Sequence, residues 1–112
     1  MKFLCLIYLD ETESGTLAQS DLDSLHLKSR THVELLHAGV LEASNAAVTL
    51  RRRDASVLVS DGPYSNTREQ LRGLALLDAP NLDAAIRVAA HVPAAHSGSI
   101  EIRPVRTAIP LT

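Results

Sequence analysis

The residues best equipped for chemistry sit together just past the middle of the chain. Asp61-Gly62-Pro63-Tyr64 is followed by Thr67-Arg68-Glu69-Gln70, so one turn region carries a carboxylate, a phenol, a guanidinium and a second carboxylate. Asp61 and Glu69 are the candidate catalytic groups, because a partly buried carboxylate beside a cleft can exchange a proton near neutral pH. Arg68 and Tyr64 are candidate ligand-binding groups. A guanidinium grips a carboxylate or other anion through two parallel N–H donors, and a phenol offers an apolar ring with one polar end. The same residues have a purely structural reading, in which Asp61 caps the N–H groups of the turn, Tyr64 plugs the core, and Arg68 and Glu69 stay in water.

Other chemistry is thinly represented. His26 and His37 fall three turns apart on one helix edge, too far to share a metal ion, and His91 and His96 flank Pro93 without a third ligand at metal-site spacing, so no metal is expected. Cys5 is the single cysteine; it cannot form an internal disulfide and is expected to pack within a strand, which suits a reducing cytoplasm. The sequence has no Gly-x-Ser-x-Gly elbow, phosphate loop or dinucleotide fingerprint, which argues against a hydrolase of that type and against nucleotide cofactors; no cofactor is expected.

The elements that must position these residues belong to one small domain. A chain of 112 residues, 46% hydrophobic and 21% charged, suffices for one core. A net charge of -2 argues against nucleic acid as a partner, and the only basic run, Arg51-Arg52-Arg53, reads as a solvated strand end. Phe3 to Leu9 is too short to span a membrane and reads instead as a strand of the folded domain.

That strand, Lys2 to Leu9, has two apolar faces: Phe3, Cys5, Ile7 and Leu9 on one, Leu4, Leu6 and Tyr8 on the other. Asp10 to Thr16 reads as a loop. Leu22, Leu25, Val33, Leu36 and Val40 recur at helical spacing, so a helix is expected from about Asp21 to Ala38, with Gly39 as its C-cap. Ala47–Arg52 and Ser56–Ser60 read as an antiparallel hairpin, stopped by Asp61-Gly62-Pro63. A strand at about Leu71–Leu77 follows. Asn81 then caps a second helix whose apolar face is Leu82, Ala85, Ile86, Ala89 and Val92, and a closing strand runs from Ser99 to Val105.

The order β-α-β-β-β-α-β predicts an α+β, ferredoxin-like antiparallel sheet with both helices on one face. The first strand's second apolar face then needs cover from a partner subunit, so a homodimer is expected.

The motif Asp61-Gly62-Pro63-Tyr64 with Thr67-Arg68-Glu69-Gln70 resembles the DGPF-motif branch of the YCII-related family. So do the Met1-Lys2-Phe3-Leu4 opening, Ala38-Gly39-Val40-Leu41, Leu82-Asp83-Ala84-Ala85, and the tail from Val92-Pro93 through Gly98-Ser99-Ile100-Glu101 to Val105. The resemblance covers almost the whole chain. It implies a dimeric α/β barrel, in which two ferredoxin-like sheets pack face to face, and genes often encoded beside extracytoplasmic-function sigma factors; it implies no assigned reaction. Tyr64 stands where phenylalanine is usual, and Asn66 where a glutamate is usual. Lys28 stands where YCII-like relatives place a histidine, so a histidine-based acid–base mechanism does not carry over and Lys28 is instead a candidate ligand-binding residue. Two functions follow as expectations: a non-catalytic accessory or small-molecule-binding homodimer, and a cofactor-free enzyme using the Asp61 loop. An enzyme or small-molecule binder would use a pocket between the sheet and the first helix with Asp61 and Arg68 as lead residues, whereas in a purely accessory protein the motif serves the fold and the dimer.

Overall fold

The computed structural model describes residues 1–12, 17–27 and 32–106. Its centre is β1 (Lys2–Asp10), which pairs antiparallel with β5 (Glu69–Asp78) on one side and β6 (Ser99–Pro104) on the other. β2 (Glu34–Val40) adds to the outer edge of β5, giving the four-stranded order β2-β5-β1-β6. This is the ferredoxin-like α+β architecture expected from the sequence, with every neighbouring pair antiparallel.

Strand alternation divides the sheet into two unequal faces. Phe3, Cys5, Ile7 and Leu9 are buried, as are Ala75 and Leu77 opposite them on β5. They share one cluster with Leu22 and Leu25 of α1 (Gln19–Leu27) and with Ala84, Ala85, Val88 and Ala89 of α2 (Leu82–Ala89), so both helices cover the same face. Leu4, Leu6 and Tyr8, with Leu71, Leu74 and Leu76 across from them, form the other face and are only half-buried. Cys5 belongs to the covered face, and burial pushes its thiol up to about 11, which leaves it a packed, unreactive group.

The expected long helix is corrected. α1 spans Gln19–Leu27, and Glu34–Val40 forms the edge strand β2 instead of the helix's second half. Val33, Leu36 and Val40 fit a helical stripe, but Val33 and Leu35 also alternate. Pairing with β5, from Leu35 against Leu77 to Val40 against Gly73, buries that alternation in the sheet. Sheet pairing overrode local propensity here. His32 precedes β2 with φ 64, in the left-handed region, and the pairing with β5 carries a bulge at Leu36, between Leu35 and His37. Gly39 is a strand residue opposite Leu74, not a C-cap, and His37 lies exposed on the same strand.

α2 begins as expected, with Asn81 Oδ1 accepting the Ala84 N–H at 2.9 Å. Its buried face is rotated from the expected one: Ala84 and Val88 point inward, whereas Leu82 and Ile86 are each 45% exposed. After Val92, Pro93 opens a short α3 (Ala94–Ser97) that leads into β6. No helix among the described residues is long and apolar enough to cross a membrane.

The expected hairpin is present as β3 (Val48–Arg53) and β4 (Ser56–Asp61), but it forms its own two-stranded sheet, inserted in chain order between the paired strands β2 and β5. All twelve of its strand residues stay at least partly accessible, and all but Thr49 are exposed. Asp54 turns the chain with φ 54. The hairpin lengthens the molecule: the radius of gyration is 15.5 Å, against about 13 Å for a compact domain of this length.

Candidate functional site

β1 ends at Asp10, and Glu11 and Thr12 follow it in a turn; each of the two acids holds one wall of a cavity. Asp10, 5% exposed, accepts from the Thr12 N–H at 2.9 Å and the Thr12 hydroxyl at 2.6 Å, while Arg68 Nε donates to its other oxygen at 2.7 Å. The Thr12 hydroxyl, then the Arg68 guanidinium and the Thr12 N–H, hold the Asp10 carboxyl down to about 2. Glu11 accepts from the Ser44 N–H at 2.9 Å and from the Ser44 hydroxyl, and pairs with Arg72 Nη1 at 3.4 Å; the Ser44 bonds are the main reason its carboxyl lies below the usual range. Asp10 thus fixes the Arg68 segment, and Glu11 with Arg72 fixes the 3-10 turn Ser44–Ala46.

Gln70 completes the frame. Its side chain is buried, and Nε2 donates to the Ser65 carbonyl at 3.0 Å and the Thr67 carbonyl at 2.7 Å, tying down the loop that follows Tyr64. A buried amide satisfied by two backbone carbonyls fixes a loop at little net cost.

Between these walls lies a cavity of about 470 Å³, bounded by Tyr8 and Leu71 of the sheet, the 41–47 segment, and Pro63, Tyr64, Glu69 and Gln70. Tyr8 and Leu71 place it on the half-buried face of the sheet, not between the sheet and the first helix. A second cavity of about 390 Å³ does lie between α1 and β2, beside Leu22, Asp23, Leu35 and Ala38, but neither Asp61 nor Arg68 lines it. The expected location of the Asp61 and Arg68 pocket is therefore corrected.

The structure separates the expected site residues. Glu69 and Tyr64 line the larger cavity; Glu69 Oε1 accepts from Ser99 Oγ at 2.7 Å, and the Tyr64 ring, 80% exposed, carries the Arg51 guanidinium 5.6 Å from its centroid. Arg68, its side chain 75% exposed, binds Asp10 behind the wall. Asp61 is exposed at the end of β4 and makes no side-chain hydrogen bond among the described residues. The turn after it is fixed without it: Gly62 N–H donates to the Ala47 carbonyl at 2.7 Å, Thr49 Oγ1 donates to the Gly62 carbonyl at 2.9 Å, and Gly62 supplies φ 105. Lys28 lies outside the described residues. Glu101, on the neighbouring strand β6, accepts from the Tyr8 phenol at 3.4 Å; burial first, and then this carboxylate, raise the Tyr8 hydroxyl above its ordinary value.

Asp10, Glu11, Gln70 and Arg72 were not legible as site residues. Their signal was one of place: two acids directly after an apolar strand, and one arginine inside the otherwise apolar Leu71 to Leu77 run. The low carboxyl of Asp10 has a measurable consequence. A carboxyl held down in the folded state stabilises the fold above its ordinary value of 3.8, and the contribution disappears as pH falls through about 2. Urea unfolding of the wild type and Asp10→Asn is expected to show the largest stability gap near neutral pH, shrinking between about pH 4 and pH 2; a gap constant over that range would contradict the assignment.

A family model for the YCII-related domain matches residues 1–109. An uncharacterised protein of Rhizobium meliloti (strain 1021) is 32% identical over 114 aligned residues, covering 94% of this chain and 92% of the relative.

Proposed function

The chain belongs to the YCII-related domain family, and from that premise we propose that it is a non-catalytic, homodimeric accessory protein that binds a small molecule in the cavity beside Tyr64 and Glu69. The supporting observation is the cavity itself. Its size of about 470 Å³ falls in the range of ligand sites, its walls are mostly apolar, and a few polar residues, among them Glu42, Tyr64 and Glu69, line it. The walls are preorganised by Asp10, Glu11 and Gln70, which suits binding. Carboxylate acid–base chemistry in this cavity would fall to Glu42 and Glu69, since Asp61 does not line it.

Homodimer formation is supported by the half-buried face of Leu4, Leu6, Leu74 and Leu76, a contiguous apolar surface of the kind that marks an interaction site. The DGPF resemblance adds a setting beside sigma factors, where a binding protein without its own reaction has an accessory place.

The binding reading is tested with N-phenyl-1-naphthylamine, a neutral dye whose emission rises in dry apolar sites. The wild type is expected to bind it saturably. Ala46→Trp, which fills the cavity from an exposed position, should weaken binding at least tenfold while leaving the melting temperature within a few degrees. Equal dye binding by the two proteins would remove the cavity from consideration.

A further inference from the structure

A two-stranded hairpin standing alone in water is marginally stable at best, yet β3 and β4 hold a regular register from Val48 against Asp61 to Arg53 against Ser56 while all their residues but Thr49 are exposed among the described residues. Cross-strand partners share a face, so Leu50 and Val59 lie on the same side as Val48 and Val57. All four are more than half exposed. The stripe they make is bounded by charge at both ends: Arg52, opposite Val57, near the tip, and Asp61, opposite Val48, at the base.

We propose that this arm packs against the same arm of a second copy of the chain, face to face and antiparallel, so that Arg52 meets Asp61 of the partner subunit. The inference rests on the homodimer proposed above and gives it an additional contact. The argument for a second copy as occupant is charge complementarity. A stripe with a cation at one end and an anion at the other becomes its own complement when turned about a two-fold axis, and a two-fold contact is the commonest way for identical chains to associate.

Area points the same way. The open sheet face, four strands wide and about 25 Å long, hides only about 1,000 Å² in total when paired with a copy of itself, the lower limit for a specific interface. Two arms pressed together add roughly 400 Å² and bring the total into the ordinary range for stable complexes. Position agrees, because the base of the arm borders the cavity on that same open face, between the 41–47 segment and Pro63. Asp61, the first residue of the conspicuous motif, thereby gains a role that the cavity does not give it.

The test is a charge swap followed by sedimentation across a concentration series. Arg52→Asp and Asp61→Arg are each expected to raise the dimer dissociation constant by about tenfold or more, and the double variant Arg52→Asp with Asp61→Arg to restore it to within a few fold of the wild type. Leu50→Ser, at an exposed site whose change leaves the core intact, should weaken the dimer by a similar factor with an unaltered circular dichroism spectrum. A dimer whose dissociation constant ignores all of these changes would overturn the arm contact and leave the sheet-face dimer standing. A wild type that stays at 12.1 kDa at every concentration would overturn both. Arg52-dependent binding to phosphatidylglycerol vesicles, with no rescue in the double variant, would assign the arm to a lipid surface and overturn the proposal.

Discussion

Replacing Gly98 with alanine is expected to lower stability by about 3 kcal/mol or more, near the upper end for overpacking. Gly98 joins α3 to β6 where the chain passes directly over β1. A Cβ there would sit 2.1 Å from the Tyr8 carbonyl oxygen and 2.8 Å from Leu9 Cδ2. A side-chain tip can rotate away, but the carbonyl belongs to the central strand, bonded to neighbours on both edges, and has nowhere to go. For a domain whose total stability is about 5–15 kcal/mol, such a loss lowers the melting temperature by roughly 10 °C or more. Gly39→Ala is the matched control. Its Cβ would meet nothing within 4 Å, so a change within about 0.5 kcal/mol is expected. Thermal unfolding of the two variants side by side decides the matter, and equal effects would refute it.

The second large effect is Phe3→Ala, expected to cost about 3–5 kcal/mol as a large buried ring leaves a cavity. Phe3 is fully buried between Leu77 and Pro104, its partners on the adjoining strands, and belongs to the cluster that α1 and α2 cover. Leu6→Ala, on the opposite face of the same strand, provides the contrast. Within a single subunit it removes only a half-buried side chain and should cost clearly less; in a dimer its cost should grow with protein concentration, because the face it belongs to becomes buried on association. Urea midpoints measured at low and high concentration separate the two. A Phe3→Ala midpoint no lower than that of Leu6→Ala would show that the covered and open faces have been assigned the wrong way round.

The strand that carries Phe3 was legible as a run of strand-forming residues apolar on both faces, and the one that carries Ile100 because Ile100 and Ile102 alternate with Glu101 and Arg103. The Asn81 cap was legible because a side-chain acceptor ahead of an apolar run is a local signal. Val33 to Val40 was not, since the same leucines and valines satisfy a helical stripe and a strand, and only pairing with β5 decides between them. Leu82 and Ile86 were assigned to the wrong side of α2 for a related reason: the neighbouring alanines fit closely against β1 and its surroundings, and small side chains give a weak periodic signal. In the candidate site, Tyr64 and Glu69 of the motif from Asp61 to Gln70 line a cavity, whereas Asp61 and Arg68 do not. The groups that shape its walls lie far away in sequence, Arg68 on Asp10 and Arg72 on Glu11, and spacing along the chain carries no trace of such contacts.

The position of β1 bears on how the protein is made. Synthesis produces Phe3 early and Pro104 late, yet the two are neighbours in the sheet, and the other edge of β1 waits for the Glu69–Asp78 segment. Until those strands leave the ribosome, the most apolar segment of the chain has no partner on either edge. Folding is therefore expected to begin only when translation of the domain is nearly complete, with a rate limited by closing long loops. During that interval the nascent Phe3 to Leu9 segment is a natural binding site for chaperones.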